Sequence, residues 1–192
     1  MTNWVFAVFL LIGLCSCNEK KPIAKSYFNV DSLMNVQLVQ LTAKAASVTK
    51  RIKINDLEET VKIKPDSALW AHELAIFKHL DILNKPIYAT AYEVIDGTKD
   101  SNSNLTLRIY HAKREVPVTV FKLYYQDSFD KLRRIEATSE ESNALYFTTR
   151  KFVLTFDDLA GGIVLQRYAV EGFQKMILSD TVRFSLHSEI LY

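Results

Sequence analysis

Val116-Pro117-Val118-Thr119-Val120-Phe121-Lys122-Leu123-Tyr124-Tyr125 is the stretch that decides the fold. It is rich in β-branched and aromatic residues, the types that fit a pleated, covered surface. Val118 and Val120 occupy one phase of a two-residue repeat, and Phe121, Leu123 and Tyr125 occupy the other. A strand that is apolar on both phases has a cover on each side. The same character continues on both sides of this stretch. Strands are predicted over residues 87–95, 105–112, 116–125, 132–139, 145–156, 163–170, 173–178 and 182–191. The connections are short and polar, among them Asp96-Gly97, Gln126-Asp127, Glu140-Glu141-Ser142, Gly161-Gly162 and Ser179-Asp180. Parallel neighbours need long crossovers, so these strands form an antiparallel meander of seven or eight.

Upstream the period changes. Asp31 reads as an N-cap, and Val30, Met34, Leu38, Leu41 and Ala45 recur at helical spacing, which predicts an amphipathic helix ending near Ala46. Residues 48–64 return to period two. Val48, Ile52 and Ile54 alternate with Thr49, Arg51 and Lys53, and Val61 and Ile63 alternate with Lys62 and Lys64, around a turn at Asn55-Asp56-Leu57-Glu58. That is a β-hairpin with one apolar and one basic face. Pro65-Asp66-Ser67 opens a second helix with Leu69, Trp70, Leu74, Phe77 and Leu80 on one stripe, stopping before Asn84-Lys85-Pro86. The expected fold is α+β: helix, hairpin and second helix packed on a curved antiparallel meander, as one domain over residues 27–192.

Composition excludes several classes of function. The formal net charge is +2, which leaves no electrostatic footprint for nucleic acid. The two cysteines, Cys15 and Cys17, both precede the predicted domain, so no disulfide or thiol chemistry is available inside it.

Those cysteines end an apolar run, Trp4-Val5-Phe6-Ala7-Val8-Phe9-Leu10-Leu11-Ile12-Gly13-Leu14, followed by Cys15-Ser16-Cys17 and then Asn18-Glu19-Lys20-Lys21-Pro22. The run is shorter than the roughly 20 residues a membrane-spanning helix needs. It resembles the signal peptide and lipobox of bacterial lipoproteins. Leu14 stands at −3 and the small Ser16 at −1 from Cys17, whereas Cys15 is preceded by the large Leu14. The resemblance therefore implies a signal peptide over residues 1–16 and lipidation of Cys17 with a diacylglycerol and an amide-linked chain such as palmitate. It departs from the pattern in one respect, since Met1-Thr2-Asn3 holds no Lys or Arg. Several acyl chains make an effectively permanent anchor to the lipid bilayer. Residues 17–26 then form a polar tether with a reach of about 30 Å. Asn18 after the cysteine implies the outer membrane rather than the inner one, with the domain in the cell envelope.

Chemical motifs fall short of complete sets. His72-Glu73 begins like a zinc-protease motif, but Ile76 stands where the second His is required. His72 and His79 share a helix face without a third ligand. Asp100-Ser101-Asn102-Ser103-Asn104 begins like a calcium loop, yet Leu105 replaces the glycine and His111 the closing Glu, so it reads as a hairpin loop. Gly161-Gly162 follows Leu159-Ala160 and not a phosphate-loop pattern, and no nucleophile elbow is present. The expectation is a non-catalytic protein without metal or cofactor. The basic hairpin face, Arg51, Lys53, Lys62 and Lys64, is the candidate contact surface; the structural alternative is a solvated edge whose lysines discourage aggregation.

In size, lipobox and antiparallel sheet the chain resembles the lipoprotein carrier and receptor proteins of the envelope, which implies acyl chains held in a concave sheet. The segment Tyr168-Ala169-Val170-Glu171-Gly172-Phe173-Gln174-Lys175 resembles uncharacterised bacterial lipoproteins and implies no activity. Two functions follow. One is an envelope accessory or scaffold that binds other proteins through the hairpin or a sheet edge. The other is a carrier of an apolar ligand in a cavity lined from Tyr88, Tyr92, Tyr110, Phe121 and Tyr124.

Overall fold

The computed structural model describes residues 27–159 and 162–192. The predicted signal peptide, Cys17 and the tether lie outside the described residues. Helix α1 (Val30–Ala43) leads into a hairpin, β1 (Ser47–Ile54) and β2 (Leu57–Ile63), and then into helix α2 (Ser67–Lys78). Two 3-10 segments, His79–Asn84 and Pro86–Tyr88, connect α2 to seven further strands. These are β3 (Tyr92–Lys99), β4 (Thr106–Ala112), β5 (Val118–Gln126), β6 (Ser128–Ser142), β7 (Tyr146–Leu159), β8 (Gly162–Met176) and β9 (Val182–Leu191). The fold is α+β, as the periodicity predicts, and all nine strands form one open antiparallel sheet in the order β2-β1-β9-β8-β7-β6-β5-β4-β3.

The sheet is larger than expected because the hairpin belongs to it. β1 pairs with β9 over eight positions, from Ser47 opposite Leu191 to Ile54 opposite Phe184. The meander itself contributes seven strands, since the two segments expected over residues 163–170 and 173–178 merge into the single strand β8, which ends at Met176. Glu171-Gly172 looks like a break but runs straight through. A Cβ on Gly172 would sit 2.1 Å from the Thr149 carbonyl oxygen, so the glycine is there for close approach of β7 and not for a turn. Asp96-Gly97 is a bulge inside β3, with Gly97 at φ +81°, rather than a connection. Residues 87–91 are not strand: Pro86 starts a 3-10 turn closed by the Tyr88 N–H on the Lys85 carbonyl, and β3 begins at Tyr92.

Both helices lie on one face of the sheet. From α1, Val30, Met34 and Leu41 enter the core, and from α2, Trp70, Leu74 and Phe77. They meet Phe121, Leu123, Ile135, Phe152, Leu154 and Tyr168 on the sheet. Three details differ from the sequence reading. The α1 N-cap is Asn29, whose side chain accepts from the Ser32 N–H; α1 ends at Ala43, so that Ala45, at φ +48°, lies exposed beyond it and not on the apolar stripe; and Leu69 of α2 is exposed. Asp66 caps α2 by accepting from the Leu69 N–H.

Polar side chains fix where the helices sit. Gln37, fully buried on α1, donates from Nε2 to the Ile163 carbonyl at 3.1 Å and accepts from the Leu165 N–H at 2.7 Å, tying α1 to β8. Asn84 accepts from the Tyr27 N–H and donates to the Phe28 carbonyl, while Asp81 accepts from the Val30 N–H at 2.9 Å. A carboxylate at the first turn of α1 also complements the helix dipole.

Gly172→Ala is expected to lower stability by about 3 kcal/mol or more, because main chain rather than a movable side chain blocks the methyl group. The midpoint of urea unfolding, read against Ala169→Gly three positions earlier on β8 as a reference for strand propensity, measures it.

Candidate interaction surfaces

The two faces of the sheet differ in kind. The helix face is filled by the chain's own aromatic residues. Tyr92, Tyr110 and Phe121 share that face, but the segment entering α1 lies on them. The Tyr27 ring stands edge-on to Tyr92 at 5.4 Å and to Tyr110 at 5.5 Å, and Phe28 lies 6.4 Å from Phe121. Tyr27 Oη donates to the Ala89 carbonyl, and Tyr92 Oη to that of Val118. The other two members of the expected cavity are elsewhere. Tyr88 sits in the 3-10 turn beneath Arg114, and Tyr124 is on the opposite face with its hydroxyl on Glu136.

Deeper on the helix face lies a polar cluster that sequence reasoning missed. Lys50 Nζ meets Glu73 Oε1 at 2.5 Å, and the Tyr168 hydroxyl donates to Glu73 Oε2 at 2.9 Å. Phe77 covers Tyr168 edge-on at 5.4 Å. The Lys50 and Glu73 side chains are only 16% and 9% exposed, so each charge depends on the other. Burial pushes the Tyr168 phenol well above its ordinary value; the Ser188 hydroxyl opposes this and the Glu73 carboxylate adds to it. The signal was present in the sequence: Lys50 falls in the apolar phase of β1 with Val48, Ile52 and Ile54. With both Glu73 oxygens occupied and little access, the cluster pins α2 to the sheet.

Among the described residues no helix lies on the opposite face, which is open. Arg51, Lys53 and Lys62 do share it, because Arg51 pairs across from Thr60, Lys53 from Glu58 and Thr49 from Lys62. Lys64 lies one residue beyond β2. The face is less uniformly basic than the spacing predicts, since Glu58 sits on it and meets Arg51 at 3.7 Å. Toward the end of β1 the open face bears a groove of about 940 Å³ between Lys53 on β1 and Lys151 on β7. Phe173 is at its floor, flanked by Phe147 at 5.8 Å and overlaid by the Arg183 guanidinium at 5.8 Å. Glu171 is held by His187 at 3.1 Å, and neither Lys53 nor Lys151 has an ion pair among the described residues. An aromatic floor with unpaired cations on both walls fits an extended segment carrying acidic and apolar side chains.

Other sequence candidates stay apart. His72 and His79 are exposed on α2 and the 3-10 turn after it, and no group of three or more metal-ligating side chains occurs among the described residues. The 100–104 segment closes on itself, with Ser103 Oγ donating to Asp100 at 2.7 Å and the Asp100 N–H to the Leu105 carbonyl. At the β3–β4 edge, Arg108 pairs with Asp96 and holds its carboxyl below the ordinary range, while Tyr125 donates to the same carboxylate. No helix among the described residues is long and apolar enough to cross a membrane. No protein-family model, curated protein or solved structure matches the chain.

Glu73→Ala is expected to cost about 3 kcal/mol by stranding the Lys50 ammonium and the Tyr168 hydroxyl. Combining Lys50→Met with Glu73→Leu should recover all but about 1 kcal/mol, the share of the orphaned phenol. Thermal and urea unfolding of the two variants decide it.

Proposed function

We propose that this chain is a lipid-anchored accessory protein of the bacterial envelope, non-catalytic, that binds other proteins through the open face of its sheet. The observation that carries this reading is the contrast between faces: Tyr27 and Phe28 occupy the aromatic ground on the helix side, whereas none of the described residues packs into the groove on the open side. Cys17 carries the anchor and Asn18 directs it to the outer membrane. Nine residues separate Cys17 from Tyr27, which at full extension allows the domain to sit about 30 Å from the bilayer. The polar contacts of Asn84 and Asp81 secure the point at which the tether meets the domain. The groove then faces away from the helices, with Lys53, Lys151 and Arg183 positioned for an acidic, extended segment of a partner.

The carrier reading ranks second. It requires an acyl chain to lie where Tyr27, Phe28 and Phe77 pack, so binding would displace the start of α1.

Photocrosslinking in intact cells tests the reading on the full chain. A crosslinker at Lys151 should give the same protein adducts as one at Lys53, a crosslinker at His72 on α2 should give none of them, and Arg183→Glu should remove them. Membrane fractionation of Cys17→Ala checks the anchor separately, and its release from membranes is expected. Adducts at His72 alone, or none at either groove position, contradict the open-face assignment.

A further inference from the structure

Among the described residues the nine-stranded sheet has two edges without a neighbouring strand, β2 and β3. An unpaired edge presents a row of backbone donors and acceptors that natural proteins normally blunt. β3 is blunted by its bulge between Asp96 and Thr98. β2 is regular, pairing with β1 without a register shift, and its first four residues are exposed, Leu57 by 79%.

The backbone phase of β2 follows from its neighbours. The Asn55 N–H donates to the Arg183 carbonyl, so the odd-numbered positions of β1 direct their backbone groups to β9 and the even-numbered ones to β2. Leu57, Glu59, Val61 and Ile63 are the partners of those even positions. Glu58, Thr60 and Lys62 therefore turn their backbone N–H and C=O groups to the free edge.

The charges along this edge are ordered. Asp56 and Glu58 precede Thr60, and Lys62 and Lys64 follow it at mirrored distances. Lys62, Lys64 and Asp56 have no ion pair among the described residues, and Glu58 has only the exposed 3.7 Å contact with Arg51. We propose that β2 is a self-complementary edge, and that two copies of this chain join antiparallel through it with Thr60 on the two-fold axis. In that register Glu58 faces Lys62 of the second copy, Asp56 faces Lys64, and Leu57 comes opposite Ile63, each twice by symmetry. The outward backbone groups of Glu58, Thr60 and Lys62 all find partners. Parallel pairing would instead set Glu58 on Glu58 and Lys62 on Lys62, so the charge order selects the antiparallel dimer. The two-fold axis is perpendicular to the sheet, which keeps α1 and α2 of both copies, and both points of entry at Tyr27, on the same side. Two anchors then reach one membrane, and two open faces point away from it. The dimer itself requires only β2 and does not depend on the anchor.

Complementary charge variants of the full chain in detergent test this. Asp56→Lys with Glu58→Lys makes one all-basic edge, and Lys62→Glu with Lys64→Glu makes one all-acidic edge. Sedimentation velocity should show the unaltered chain as a dimer and each variant alone associating at least about tenfold more weakly. An equimolar mixture of the two should restore a dimer containing one of each, which also establishes that both variants are folded. A monomeric unaltered chain, variants that dimerise as it does, or a mixture that fails to associate overturns the proposal.

Discussion

The ladder between Ser47–Ile54 and Phe184–Leu191 is the constraint on which the rest of the structure depends. It joins the amino-terminal hairpin to the last strand, so the sheet is complete only when both ends of the domain are present. Most other pairings are between strands adjacent in sequence and form locally. The β1–β9 ladder closes a loop of more than a hundred residues and has to overcome the corresponding chain entropy. It also brings Lys50 opposite Ser188 and beside Tyr168, where α2 delivers Glu73.

From that ladder the two faces acquire opposite characters. Buried polar contacts, Gln37 on β8 and Glu73 between Lys50 and Tyr168, specify where each helix lies on the apolar face. Asn84 and Asp81 do the same for the chain entering α1, which lays Tyr27 and Phe28 over the aromatic patch. The face between them becomes a packed interior, dry at Leu123, Ile135 and Leu154 and ion-paired toward each side at Lys50 and Arg108. Among the described residues the other face has only side chains as cover. Tyr124, for example, is buried there by Arg134, 4.1 Å above its ring, and not by an element of structure.

Much of this was legible in the sequence, and the misses have physical causes. Period-two alternation located the hairpin and most strands, and helical spacing located Met34, Leu41, Trp70, Leu74 and Phe77 as core. Local pattern does not report that β1 has a partner in β9, because residues 47 and 191 share no short-range signal. Gly172 and Gly97 look like breaks in the sequence, since a glycine demanded by a close approach or a bulge looks the same there as one demanded by a turn. Tyr124 does not line one surface with Phe121, because it falls in the opposite phase of β5. The open-face groove was half visible: Lys53 was singled out, but Lys151, Phe173 and Arg183 come to it from three other strands.

The helix face is a filled interior, and the proposed recognition on the open face depends on that. Native mass spectrometry of residues 18–192, which contain the whole described core, tests it most directly. The account predicts a bare polypeptide mass under gentle ionisation, with nothing released by organic extraction. A mass excess that extraction identifies as lipid or fatty acid, and that Phe28→Ala increases, would contradict it.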